Sequence, residues 1–152
     1  MIISFCGHSA FRENNEIQKD LLNLLEKEIN GKEVVFYLGG YGNFDGFARK
    51  CCTLYKEKHS NAKLIFITPY LGKWLDERKD YLTSQYDEII YPDIENTPPK
   101  FAISKRNEWI VEKSDLIIAY VELHFGGAYN SLIHAKRKNK RFINLVKDYE
   151  LY

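Results

Sequence analysis

Val34-Val35-Phe36-Tyr37-Leu38-Gly39-Gly40-Tyr41-Gly42-Asn43-Phe44-Asp45-Gly46 runs from a β-branched and aromatic block straight into a glycine loop, and Phe47, Cys51, Leu54 and Tyr55 then recur at helical spacing. That succession reads as strand, turn and helix. Upstream, Ile2 to Cys6 predicts a first strand, and the stripe Ile17, Leu21, Leu24, Leu25 and Ile29 a helix ending at Gly31, a natural residue just past a C-cap. Downstream, Lys63 to Thr68 predicts a third strand stopped by Pro69, and Trp74, Leu75, Arg78, Tyr81 and Leu82 a third helix. Ile89 to Tyr91 reads as a short fourth strand closed by Pro92, with a long loop from Asp93 to Pro99. A helix from about Ile103 to Lys113 leads into Leu116 to Val121, whose unbroken apolar character fits a strand covered on both faces. A helix from about Ala128 to Lys138 and a strand from Phe142 to Val146 follow. Strands alternating with helices predict a single α/β domain over residues 1–152, Rossmann-like and three-layered, with a mainly parallel sheet of about six strands.

The 152 residues match one domain against a prior of about 150 per domain. The 22 Lys and Arg nearly cancel 21 Asp and Glu, so a net charge of +1 supplies no global field for nucleic acid or anionic membrane. Any anion site must be local, and nucleic acid is not the expected partner. With 45% hydrophobic and 28% charged residues the composition is that of a globular protein. The longest apolar run, Leu116 to Val121, is far short of the roughly 20 residues that span a bilayer. The N-terminus lacks the basic and apolar regions of a signal peptide, so a cytoplasmic protein is expected. Cys6, Cys51 and Cys52 form no Cys-x-x-Cys pair and read as reduced, mostly buried thiols.

Seven of the nine glycines, Gly7, Gly39, Gly40, Gly42, Gly46, Gly126 and Gly127, fall just after the predicted first, second and fifth strands. In an open α/β sheet ligands bind outside the carboxyl ends of the strands. Glycine there lets the backbone approach a ligand, and the helices that start immediately afterwards offer N–H groups suited to phosphate. The alternative is that these glycines only make tight turns. The same loops carry Tyr41, Phe44, Tyr70, Trp74, Phe125 and Tyr129, any of which could stack on a base or equally pack the rim. His8 and His124 also sit in these loops.

Several chemistries are excluded by spacing. Gly40 to Gly46 reads G-x-G-x-x-x-G, one residue too long for the dinucleotide fingerprint, and Phe47 stands where a Walker lysine would. There is no G-x-S-x-G motif. The four histidines show no metal-ligand spacing, so neither a metal nor a cofactor is expected. Lys136-Arg137-Lys138-Asn139-Lys140-Arg141 reads first as favourable charge at a helix C-terminus and a solvated face, with a nucleic-acid patch as the minority reading. Asp45 has two open roles, as a helix N-cap before Gly46-Phe47-Ala48 and as an acceptor for a ribose diol.

Cys6-Gly7-His8, Gly39 to Asp45, Lys105-Arg106-Asn107-Glu108-Trp109-Ile110 with Ser114 to Ala119, and Gly126-Gly127-Ala128 together resemble the SLOG superfamily, and more narrowly its YpsA-like branch. The resemblance runs over nearly the whole chain. It implies a Rossmann-like sheet whose first strand lies centrally, between the second strand and the strand at 116–121, and a nucleotide or nucleotide-derived ligand. Relatives include LOG phosphoribohydrolases, DprA and sensor domains of antiviral systems. Arg106 matches the LOG arginine, but Asn107 stands for the following Lys, Phe125 for Pro, Tyr129 for the third Gly and Ile133 for the catalytic Glu. An aliphatic residue cannot do acid or base work. Asp45 and Glu108 are the candidate replacements, with Glu122 also near. Ser9 follows His8 where the branch usually has Arg, so Arg106, helix N-termini and Arg12 are expected to supply the positive charge.

The expectation is therefore a ligand-binding protein, a sensor or sequestering protein for an ADP-ribose-type molecule. Gly7, His8, Gly39, Gly40, Tyr41, Gly42, Phe44, Asp45, Pro69, Tyr70, Arg106, Phe125, Gly126, Gly127 and Ala128 are expected at the site. A homo-oligomer, or an effector protein in trans, is expected to pass on the signal. The alternatives are an N-glycosidic bond enzyme and DprA-like binding of single-stranded nucleic acid.

Overall fold

The computed structural model describes residues 1–151. Six parallel strands, β1 (Ile2–Gly7), β2 (Val34–Leu38), β3 (Ala62–Ile67), β4 (Glu88–Ile90), β5 (Leu116–Tyr120) and β6 (Phe142–Asn144), form one sheet in the order β4-β3-β2-β1-β5-β6. The first strand is central as expected, with Ile3 opposite both Phe36 and Leu116.

The layering follows from handedness. From β1 the chain steps outward through α1 (Asn15–Ile29) and α2 (Gly42–Lys58) to β3, and right-handed crossovers put both helices on one face. It then returns across the sheet through α5 (Ala102–Lys113), and α6 (Gly127–Arg137) links β5 to β6, which puts these two on the other face. The period-2 alternation of the strands confirms it. Ile3, Phe5, Phe36, Leu38, Leu64, Phe66, Leu116 and Ile118 share a cluster with Leu21, Leu25, Phe44 and Phe47 of α1 and α2. Val35, Tyr37, Ile65 and Ile67 instead meet Trp109 and Ile110 of α5, while Ile117 and Ala119 lie with Ala135 and Leu132 of α6.

Local chemistry sets the ends. The Asn14 side chain caps α1 by accepting from Ile17 N–H at 2.8 Å, and the helix stops at Asn30, already left-handed at φ 49°, followed by Gly31. The expected third helix is two short ones, α3 (Lys73–Asp76) and α4 (Lys79–Gln85), broken at Glu77 and Arg78. The loop from Asp93 ends in a 3₁₀ turn over Pro99–Phe101 that enters α5. Cys51 and Cys52 are buried and Cys6 is half-buried, all three as free thiols. No helix among the described residues is long and apolar enough to cross a membrane.

Candidate functional site

Because every strand points the same way, the strand-to-helix loops converge at one end of the sheet. A pocket of about 370 Å³ opens there across β1 and its neighbours, within the size range of small-molecule sites. Its walls come from the β1–α1 turn, the β2–α2 loop, the first turns of α5 and the β5–α6 loop. Glycine loops on either side of β1, at Gly39 and at Gly126–Gly127, therefore face each other as the sequence implied.

Arg106 is the dominant charge. Its side chain is only 2% exposed, yet it lines the pocket. Nη1 donates to the Ile67 and Gly39 carbonyls at 2.7 and 3.1 Å, and Nε donates to Asn107 Oδ1 at 2.9 Å. Among the described residues no hydrogen bond reaches Nη2, which lies 3.1 Å from where a Cβ on Gly39 would stand. Glycine at 39 thus keeps space open beside a guanidinium edge that has donors to spare. Burial draws the Arg106 pKa down from 12.5, and the charge on Asp45 opposes that.

Asp45 corrects the N-cap expectation. The helix begins three residues earlier, at Gly42, so Asp45 sits inside the first turn and its Oδ2 accepts from Tyr41 N–H at 3.0 Å. The carboxylate reaches back to the N-cap N–H as a capping-box acid does, but from the fourth helical residue, one beyond the box position. Asp45 is half-buried in the pocket wall, and desolvation pushes its pKa from 3.8 to about 6, against the opposing Tyr41 hydrogen bond and Arg106 charge. Burial, and secondarily Asp45, raise the Cys6 thiol to about 12, so Cys6 is no nucleophile at neutral pH.

On the opposite wall α6 is preceded by its N-cap Gly126, whose φ of 94° is disfavoured for residues with a side chain and which gives the helix no side-chain cap. The first-turn N–H groups of Gly127 and Ala128 are left to a ligand or water. A Cβ at Gly127 would meet nothing within 4 Å, so this rim is open. His8 Nε2 accepts from Glu122 N–H at 3.0 Å, which fixes the proton on Nδ1 and ties the β1–α1 turn to the β5–α6 loop. Tyr41 and Phe125, 65% and 68% exposed, stand at the mouth with Leu123.

The structure thus brings Gly7, His8, Gly39, Tyr41, Asp45, Arg106, Phe125, Gly126, Gly127 and Ala128 to one pocket. It places others elsewhere. Phe44 is fully buried against Phe11, Phe47 and Tyr120, and a Cβ at Gly7 would stand 2.2 Å from its ring, so Gly7 has a packing reason to be glycine. Gly40, at φ 66°, packs on the Phe66 ring, and Gly42 on Ser9. Pro69 is buried, and Tyr70 donates its hydroxyl to the Pro99 carbonyl. Arg12 is exposed outside the pocket lining, and His124 stacks on Tyr149. Glu108 pairs with Lys105 at 3.4 Å and lines a second cleft, of about 460 Å³, between α5 and α6. Ile133 lines that cleft too. Ser104 and Ser131 line the pocket although the sequence reading does not single them out, Ser104 two residues before Arg106 and Ser131 one helical turn past Gly127, and Asn107, which stands for the family Lys, lines it as well.

No family model matches the chain. It is 29% identical over 137 residues to the uncharacterized SPbeta prophage-derived protein YoqJ of Bacillus subtilis (strain 168), covering 78% of this chain and 80% of that protein. Its fold is that of DNA processing protein A: the Helicobacter pylori protein superposes with a TM-score of 0.63 at 18% identity over 93% of this chain, and the Streptococcus pneumoniae protein with 0.63 at 14% over 96%. The chain spans 63% and 51% of those two proteins. The protein TM1055 matches with a TM-score of 0.55 at 11% identity, over 93% of this chain and 71% of that one. These likenesses show a shared Rossmann-like α/β fold of the kind the SLOG resemblance implies.

Proposed function

We propose that this protein is a SLOG-type, YpsA-like binding protein that holds a nucleotide or nucleotide-derived ligand in the pocket at the carboxyl end of β1, as a sensor or by sequestering it. The observation that carries the reading is Arg106: a buried guanidinium with Nη2 at the pocket wall, opposite the uncapped N-terminus of α6. Two donor sets facing across a cavity suit a phosphate, and Asp45 beside them suits a sugar hydroxyl. Tyr41 and Phe125 offer exposed rings for the base. Mass spectrometry of small molecules that co-purify under native conditions, followed by calorimetric titration of the identified compound, tests it. An intact bound nucleotide derivative supports the reading, while a protein saturated with a molecule lacking phosphate overturns it. Conversion of a bound nucleotide to free base would instead make the protein an N-glycosidic bond enzyme, with Asp45 as its acid.

A second reading, single-stranded DNA binding, draws on the Helicobacter pylori DprA likeness, whose structure concerns that binding mode. The basic run from Lys136 to Arg141 is its only support in charge, and part of it is engaged: Lys138 pairs with Glu112 and Arg141 bidentately with Glu28. Fluorescence anisotropy with a labelled oligothymidylate separates the two readings, since true strand binding weakens steeply with salt.

A further inference from the structure

Two groups of opposite charge line the pocket without pairing to each other. Arg106 spends its hydrogen bonds on Ile67, Gly39 and Asn107, while Asp45 Oδ2 takes the Tyr41 N–H. Asp45 Oδ1 accepts no hydrogen bond among the described residues, nor is it one of the buried atoms that lack a partner, so it keeps surface toward the pocket that Asp45 lines. The other titratable groups around it are neutral. Burial holds the proton on the thiol of Cys6, on β1, and on the hydroxyl of Tyr86, just past α4. His8 in the β1–α1 turn uses Nε2 as an acceptor, as an uncharged ring does. Arg49, one turn along α2, lies outside the pocket lining and donates to Gln85. The lining therefore carries one positive and one negative charge, and a phosphate brought to Arg106 arrives in a cavity of no net charge, beside a carboxylate. Like charges inside one cavity disfavour each other's ionised form, and the carboxyl group, the weaker acid, is the one to yield. With a proton on Oδ1 it changes from a repelling anion to a donor, and Oδ2 still accepts from Tyr41.

We propose that Asp45 meets the anionic ligand as a protonated acid, donating from Oδ1 to a ligand oxygen, so that binding draws a proton from solvent and the site is gated by pH. The inference rests on the nucleotide reading above and adds its regulation. The sign follows from linkage: a ligand that takes the protonated form binds best below the pKa of the free group and loses affinity above it. Desolvation has already brought that pKa to about 6, so the proton is within reach near neutrality, and affinity falls by about tenfold for each pH unit beyond. Asparagine at position 45 reproduces the protonated acid, with Oδ1 for the Tyr41 N–H and Nδ2 as the donor.

Calorimetric titration with ADP-ribose, whose phosphates do not titrate in this range, tests it on wild type and Asp45→Asn at pH 5.5 and pH 8, each in two buffers of different ionisation enthalpy. Wild type is expected to bind at least tenfold more weakly at pH 8 than at pH 5.5 and to take up about one proton per ligand at pH 8. Asp45→Asn is expected to take up none and to bind at least tenfold more tightly than wild type at pH 8. His8 is present in both proteins, so the difference between them reads Asp45. Binding by wild type with no proton uptake, or binding that tightens as pH rises, overturns the inference by showing an ionised carboxylate that accepts from the ligand; this needs no variant and leaves the nucleotide reading standing. Weaker binding by Asp45→Asn than by wild type at pH 8 does the same. Absence of binding by both proteins at either pH overturns the inference together with the reading it rests on.

Discussion

Replacing Asp45 with Asn should stabilise the protein at neutral pH, and the size of the gain follows from its surroundings. The carboxyl pKa stands at about 6 in the folded chain against 3.8 for an unhindered group. Between those values the folded state holds a proton that the unfolded state releases, so the contribution of Asp45 to stability is most favourable below pH 4 and falls as pH rises through about 6. At about 1.4 kcal/mol per pH unit, ionised Asp45 costs about 3 kcal/mol above that window. The asparagine amide carries no charge, and its Oδ1 still accepts from Tyr41 N–H. Denaturant unfolding of wild type and Asp45→Asn from pH 4 to pH 8 should give curves that coincide at the acid end and diverge to about 3 kcal/mol in favour of the variant. In a domain of this length that is about 6–12 °C in Tm. Parallel curves across the whole range would refute the reasoning, because they would show a carboxyl group that titrates alike in both states.

Gly40→Val and Gly127→Val should part company. The first forces a β-branched residue to φ 66° and onto Phe66, lowering stability by about 2–4 kcal/mol, whereas the second keeps its melting temperature and loses nucleotide binding, as circular dichroism and calorimetry together would show. Arg106→Lys should weaken nucleotide binding at least tenfold, because the three donors of an ammonium radiate from one nitrogen and cannot span from the Ile67 and Gly39 carbonyls to a phosphate at the far edge of the guanidinium, while Lys138→Ala leaves affinity unchanged; the reverse order at two salt concentrations would make the basic run the anion site. Tyr41→Ala and Phe125→Ala, at exposed positions, should change stability by less than about 0.5 kcal/mol yet cost about 1–3 kcal/mol of binding where the ring stacks on the base. Incubation of the protein with nucleoside monophosphates should release no base, as followed by chromatography, the outcome that follows if Ile133 stands for the catalytic acid as the SLOG resemblance implies.

The strands and the convergence of glycine loops were legible because apolar alternation and glycine placement are local signals. What those residues touch was not. Phe44 and Tyr41 are three positions apart, yet Phe44 lies in the first turn of α2, on the face that buries Phe47, Ala48 and Cys51, and packs on Phe11 from the β1–α1 turn, while Tyr41 is the N-cap and stays at the mouth. Only the observed start of the helix at Gly42 puts Phe44 in register with that face. Gly40 looked like a phosphate contact and answers instead to Phe66, a residue of the neighbouring strand. Arg106 was singled out through its motif, but its burial depends on two carbonyls, at Gly39 and Ile67, that meet it only when β2 and β3 lie side by side. The break between α3 and α4 escaped the periodicity because Trp74, Leu75, Arg78, Tyr81 and Leu82 keep helical spacing across it.

The central position of β1 also sets the order in which the protein can be assembled. Its contacts toward β2 close about 32 residues of chain, as between Met1 and Glu33, whereas those toward β5 close 113, as between Ile2 and Asp115. Closing the longer loop costs more entropy before any contact rewards it, so the β1–β5 ladder belongs to the slow part of folding. Asp45 and Tyr41 lie on the early side of that step; Arg106, Phe125 and the start of α6 lie on the late side. A half-folded chain therefore presents an acidic loop without its guanidinium, and ligand that accumulates during refolding would bind only after the sheet has closed, making ligand binding a clock for the completion of the fold.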